Sequence, residues 1–407
     1  MNKKKIINDP VYGFITIPSE LVFDLISHPY FQRLRYIKQL AMTHIVYPGA
    51  LNTRFHHALG AMHLMSLAIE VLKNKGHEIS PEEEEAATIA ILLHDIGHGP
   101  FSHALEHTLA RGIKHEDISL LMMNRLNEEF GGKLSKAISI FKGQYPRKFF
   151  CQLISGQVDL DRMDYLNRDS FYTGVSEGVI SFDRIIKMFN VVDDQLVIEE
   201  KGIYSVEKFL IARRLMYWQV YLHKTVIAGE QLLVKILERA KQLTSRGEVL
   251  FATPALQHFL QKDVSEDNFF KEEIHLAQFS KLDDQDIYAS IKVWTDSDDV
   301  ILSKLCRMLS ARKLYKVEIS NDPPDPQRVE QLRSGIAQRL EIVEDDLKYF
   351  VFTDAITNRA YNAESSNINI LLKNGTLLDI AKASDLSNLE SLDKTVKKHI
   401  LCYVRDI

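Results

Sequence analysis

A mostly apolar run from Ala86 to Leu93 carries straight into adjacent His94 and Asp95, and Gly97, His98, Gly99, Pro100 and His103 follow within nine residues. An imidazole and a carboxylate delivered side by side at the end of a buried helix form half of a metal clamp. Nitrogen and oxygen donors of this kind suit Fe, Mn, Zn or Mg. The helix that delivers them announces its own start. Ser80-Pro81-Glu82-Glu83 supplies an N-cap, a proline at the first helical position and the acidic partner of a capping box. Glu82 to Glu85 then sit at the positive end of the helix dipole. Such a chain is expected to bury this helix inside a larger α-helical body and to draw the missing ligands from distant segments.

The rest of the chain supplies that body. Its 407 residues are 45% hydrophobic and 26% charged, with a formal net charge of -5, so charge alone gives no pull toward nucleic acid. Cys151, Cys306 and Cys402 have neither zinc nor disulfide spacing, which fits a reducing cytoplasm. Lys3, Lys4 and Lys5 lack a following apolar h-region, and no apolar run approaches the roughly 20 residues of a membrane span.

Asn8-Asp9-Pro10 predicts a turn in a small N-terminal hairpin, and Pro18-Ser19-Glu20 a helix start. Phe31, Leu34, Ile37 and Leu40 repeat at helical spacing, with Arg33, Arg35 and Lys38 off that face. A long helix is expected from Arg54, with His57, Gly60/Ala61, Leu64, Ala68 and Leu72 on one face and Gly76 at its end. Phe149 to Phe171 reads as one helix or two joined near Gly156, Gln195 to Glu199 as a strand, and Ser205 to Arg246 as a long helical stretch. After the breaker cluster Asn321 to Pro326, one helix and short strands at 349–352, 368–372 and 399–404 predict a smaller α+β lobe. The fold class is therefore mainly α. The boundaries are 1–265 for the main domain, 266–320 for a helical connector and 321–407 for the C-terminal lobe.

His57, His94, Asp95 and Asp161 could complete one metal site. The bland readings stand beside this one. A histidine on an apolar face is commonly a hydrogen-bonded core residue. Asp161 could join an i,i+4 surface network such as Asp164 with Arg168. His56 reads as structural.

The motifs Asn8-Asp9-Pro10, Phe31 to Leu40, Tyr47 to Ala50, Arg54 to His57, Leu92 to His103, His115-Glu116 and Asp159 to Asp169 occur in an order that resembles the HD-domain phosphohydrolase superfamily. Within it the chain is similar to the deoxynucleoside triphosphate triphosphohydrolases, a dGTPase-like branch that includes the mammalian member with a SAM domain. The resemblance covers about the first two-thirds of the chain. It implies an HD helical bundle, with its core about 50–170, and one divalent ion (Mn, Fe, Zn, Ni or Mg) on His57, His94, Asp95 and Asp161. It implies hydrolysis at the α-phosphorus to deoxynucleoside and tripolyphosphate, with His115 as general acid, supported by His103 and Glu106. Arg54, His98 and Arg162 match phosphate-contacting positions. Gln39, Tyr165 and Asp169 match positions holding the 3′-hydroxyl, and Leu40 the apolar residue that crowds C2′. Arg213, Tyr217 and Tyr221 would face the terminal phosphate, sugar or base. The implied partners are a dNTP or related nucleotide and a nucleotide effector, in a dimeric or tetrameric homo-oligomer, with no membrane or nucleic-acid partner. Gln32 and Arg35 of the effector site are present, but Ser27 replaces its guanine-reading carboxylate, so GTP-specific activation is not expected. Another nucleotide phosphoester as substrate, or a catalytically weak nucleotide sensor, are the alternatives.

Overall fold

The N-terminal arm forms a hairpin, β1 (Ile6–Asp9) and β2 (Gly13–Thr16), turned at the expected place. The computed structural model describes residues 5–101, 108, 112–358, 367–385 and 396–405. Ser19 caps α1 (Glu20–Ser27) by accepting from the Val22 amide. The helical spacing of Phe31 to Leu40 yields only a short helix, α2 (Pro29–Gln32), and one tight turn over Arg33–Tyr36. Beyond it the chain pairs with the segment entering the next helix: Arg54 N donates to Ile37 O and Gln39 N to Asn52 O, both at 2.9 Å. Arg33, which the periodicity turns away from the core, is 5% exposed. Its guanidinium donates to the carbonyls of Ile96 and Leu282, which repays its burial.

Two helices make the centre, α3 (Arg54–Asn74) and α4 (Pro81–Leu93). The α4 capping box is present as read, Ser80 Oγ on Glu83 N and Glu83 Oε2 on Ser80 N. His56 does have a structural role, for its Nδ1 accepts from the Thr53 amide and closes the start of α3. By length and composition α3 could cross a membrane, but it is a core helix, with 67% of its apolar window buried. Around this pair pack α5 (His115–Glu129), α6 (Ser135–Phe141), α7 (Lys148–Ile154), α8 (Leu160–Thr173), α9 (Phe182–Lys187) and α10 (Ile203–Met216). Of the two alternatives for 149–171, the chain takes two helices, broken at Ser155–Asp159.

The stretch 205–246 is not continuous. After α10 the turn Tyr217–Tyr221 widens, with Leu222 N donating to Tyr217 O at 2.7 Å, five residues back. His223 then caps a new helix, α11 (Lys224–Ser245). Widened turns of this kind gather at functional sites.

Strands β3 (Phe189–Val192) and β4 (Gln195–Glu199) form a second hairpin. β5 (Lys316–Ser320), unseen in the sequence, pairs with the C-terminal strand, and β6 (Val351–Asn358) lies on that strand's other side. β7 (Asn369–Leu371) and β8 (Leu377–Asp379) extend the second hairpin into a four-stranded sheet, β7 running parallel to β4. The C-terminal strand is β9 (Val396–Tyr403). The fold is mainly helical, with small sheets at the N-terminus and in the C-terminal part.

Candidate metal centre

The start of α3, the end of α4 and the first turn of α8 meet at one point. His57 Nε2 lies 3.1 Å from Asp161 Oδ1 and 3.7 Å from Asp95 Oδ2. His94 Nε2 lies 3.5 Å from Asp161 Oδ1 and 3.5 Å from Asp95 Oδ1. Ligands ~2.1 Å from a common ion and at right angles around it stand ~3 Å apart, so His57, His94 and Asp161 are spaced to share one cation, with the Asp95 carboxylate at their edge.

The imidazoles are oriented for that role. His57 Nδ1 donates to Asp164 Oδ2 at 2.8 Å, and His94 Nδ1 donates to the Ile91 carbonyl at 2.6 Å. Each ring is thereby left with the Nε2 lone pair facing the cluster. Both Nε2 atoms are buried and have no hydrogen-bond partner among the described residues. Orphaned acceptors beside two carboxylates fit a divalent ion, and the mixed N/O set suits Mn, Fe or Zn. Burial opposes a charge on His57, but the Asp161 and Asp164 carboxylates outweigh it and push its pKa up to about 10. A metal bound at Nε2 would displace that proton.

Asp95 is held from three sides. Arg54 donates to its Oδ2 at 2.6 Å, and His98 Nδ1 stands 3.3 Å from its Oδ1. Burial works against the anion, yet the imidazoles and the Arg54 guanidinium around it keep its carboxyl well below the usual range. Burial and the Arg54 cation push the His98 pKa down to about 3, against the opposing pull of Asp95. The His115 ring stacks on His98 with centroids 3.8 Å apart. Asp95, His98 and His115 thus form a second group of donors beside the first. Gly97 makes this contact possible, because a Cβ there would stand 2.3 Å from Ser119 N and 2.4 Å from His115 O. Gly97→Ala is therefore expected to push His115 off His98, cutting turnover at least ~100-fold with the metal content unchanged. Elemental analysis alongside an activity assay checks it. His103 and Glu106 lie outside the described residues.

The other expected residues gather along α8. Asp159 caps it, accepting from Arg162 N at 2.7 Å, and also receives Arg162 Nε at 3.0 Å. Four residues after Asp161, Tyr165 is surrounded by Tyr217, Arg213, Arg162 and Asp161, which all act on its hydroxyl. Asp169 accepts from Asn52 Nδ2 at 3.0 Å and from the Tyr221 hydroxyl at 2.9 Å. Burial pushes the Asp169 carboxyl up to about 7 against the effect of those two bonds. Tyr217 packs edge-on against Tyr221, and the Arg213 guanidinium sits 6.0 Å from the Tyr217 ring. Gln39 is tied to this group through its amide on Asn52 O. Its Oε1 is buried with no partner among the described residues, as is Asn52 Oδ1. Leu40 is buried.

The fold has counterparts among known proteins. The HD domain family matches residues 54–169, and the HD associated region matches residues 180–249. The uncharacterized protein YwfO of Bacillus subtilis is 33% identical over all of this chain and 94% of its own length. The chain belongs to the HD-domain phosphohydrolases. Among solved structures, a phosphohydrolase from Bacteroides thetaiotaomicron is 53% identical and superposes with a TM-score of 0.96, covering 99% of this chain and 100% of that one. The deoxynucleoside triphosphate triphosphohydrolase SAMHD1 homolog of Dictyostelium discoideum is 34% identical over 58% of this chain, which spans 50% of that protein. For this HD-domain chain, sequence reasoning missed Asn52, which carries no motif signal, and misplaced Asp164 and Arg168. That pair is i,i+4 as read but lies in the interior at 0% exposure, because His57 and Asp9 bind it from either side.

Proposed function

We propose that this HD-domain phosphohydrolase converts deoxynucleoside triphosphates and water to deoxynucleosides and tripolyphosphate. The observation that carries the reading is the sharing of α8. Asp161 of the metal group and the polar side chains of Tyr165 and Asp169 follow one another at four-residue spacing on this helix. A phosphate chain over the metal donors would place its sugar beside that pair. The 34% identity to a SAMHD1 homolog over 58% of the chain supports the same substrate class.

His57, His94, Asp95 and Asp161 would hold a divalent ion, whose chemistry is to polarise a phosphoryl oxygen and neutralise its charge. The chain's own groups do the rest. His115, stacked on His98, carries the proton to the leaving 5′-oxygen. Arg162 and Arg213 balance the phosphate charge around Tyr165. The orphaned side-chain carbonyl of Gln39 or of Asn52 accepts from the sugar 3′-hydroxyl, and Asp169 fixes Asn52 beside it. Leu40 crowds C2′. An apolar wall disfavours an added hydroxyl only modestly, on the order of 100-fold.

Incubation with each dNTP and rNTP plus Mn²⁺, with products read by mass, tests this. Equal amounts of deoxynucleoside and tripolyphosphate are expected, with ribonucleotides slower by about 100-fold. Orthophosphate or pyrophosphate without tripolyphosphate would move the assignment to another nucleotide phosphoester.

A further inference from the structure

The hairpin at the N-terminus is far from the metal donors in sequence, yet a chain of charged bonds joins them. Asp9 closes the β1–β2 turn, its Oδ1 accepting from Val11 N at 2.9 Å and Tyr12 N at 3.0 Å. The turn thus aims the other oxygen, Oδ2, at Arg168, which donates to it at 2.7 Å. The same guanidinium grips Asp164 with two parallel bonds, Nε to Oδ2 and NH2 to Oδ1, both at 3.0 Å. Asp164 Oδ2 in turn accepts from His57 Nδ1 at 2.8 Å. The side chains of Arg168, Asp164 and His57 are 0% exposed and that of Asp9 is 3% exposed. The Tyr12 ring lies 5.4 Å from the guanidinium and packs on Phe182, which shields the line of charges.

We propose that Asp9 is a positioning residue for the metal ligand His57, acting through Arg168 and Asp164, so that docking of the N-terminal hairpin sets the affinity of the metal site. The proposal rests on the metal reading of the donor group and is independent of which phosphoester is the substrate. Charge counting gives the reason. One guanidinium between two carboxylates leaves a net negative charge behind His57, and a carboxylate behind a ligating imidazole raises its basicity at the metal. Without Asp9, Arg168 neutralises Asp164 outright and competes with His57 for the shared Oδ2 of Asp164. The geometry suffers as well, because Arg168 loses the bond that fixes the far end of its fork. A packing role for the hairpin would need shape at this position but no charge.

The test measures binding of Mn²⁺ alone to the full chain, together with the urea midpoint of each variant. Asp9→Asn keeps the shape and the turn-capping oxygen and removes the charge. It is expected to weaken Mn²⁺ binding about 10-fold, the low end of what loss of an outer partner costs a metal site. Asp9→Ser reads the same charge if the first variant is insoluble. Ser19→Ala removes the cap of α1, away from this chain of bonds. It is expected to lower the urea midpoint and bind Mn²⁺ as the wild type does. Asp161→Asn is expected to lose the ion. Wild-type Mn²⁺ affinity in Asp9→Asn, or equal weakening in Ser19→Ala, would overturn the proposal. Wild-type affinity in Asp161→Asn would overturn the metal reading itself and leave the hairpin with nothing to position.

Discussion

Asp161→Ala is expected to lose both the bound ion and turnover, whereas His115→Ala keeps the ion and loses turnover by about 10²–10⁴. The two outcomes follow from position. Asp161 Oδ1 lies within 3.5 Å of both orphaned imidazole nitrogens, so it is the donor that His57 and His94 have in common. Removing it leaves two imidazoles and Asp95, whose oxygens are already shared with Arg54 and His98. That remainder is a poor site for a divalent ion. His115 stacks on His98 and falls in the neighbouring donor group with Asp95 and His98, apart from the group of His57, His94 and Asp161. Its loss deprives the leaving oxygen of a proton donor and leaves the donor group as it was. Elemental analysis of the two purified proteins separates these cases, and equal metal content would sink the division of roles.

How much of this was legible in the sequence depends on how local each cause is. The capping box of α4 and the inward faces of His57 and Asp161 are set within a turn or two of helix, and spacing reveals them. The set of His57, His94, Asp95 and Asp161 was therefore proposed before any fold was known, and His57, His94 and Asp161 of it come together in one group. The Asp9–Arg168 bond spans 159 residues and obeys no period, so nothing in the sequence announces it. In the sequence Asp164 and Arg168 served only as the example of an i,i+4 surface pair that Asp161 could join, the usual setting for that spacing. The helical spacing of Phe31 to Leu40 failed for a related reason. The backbone of Ile37 and Gln39 found partners at Arg54 and Asn52, and those bonds outbid a helix continuing past Tyr36. The break at Leu222 has no proline or glycine to mark it, yet it is what swings the Tyr221 hydroxyl onto Asp169. β5 and the parallel β4–β7 pairing likewise depend on distant segments, Ser320 pairing with His399 and Ile198 with Ile370.

Gly60→Ala is expected to be strongly damaging for a single added methyl, at a cost of at least ~3 kcal/mol, with loss of the metal as well. The position lies on the face of α3 that meets α8. A Cβ there would stand 1.9 Å from Asp164 Oδ1 and 2.2 Å from Arg168 NH2, two atoms bonded to each other. On an open surface such side chains would swing aside at little cost. Here both are at 0% exposure, and their remaining bonds run to His57 and Asp9. Making room means breaking an interior ion pair or prising α3 from α8. Either change leaves buried charge without its partner, which is the expensive outcome. Either change also moves the carboxylate that orients His57. A urea titration and a metal determination on Gly60→Ala check the two halves together. Wild-type stability with a full complement of metal would mean that the Asp164–Arg168 pair can shift freely, and that it holds neither α3 nor His57 in place.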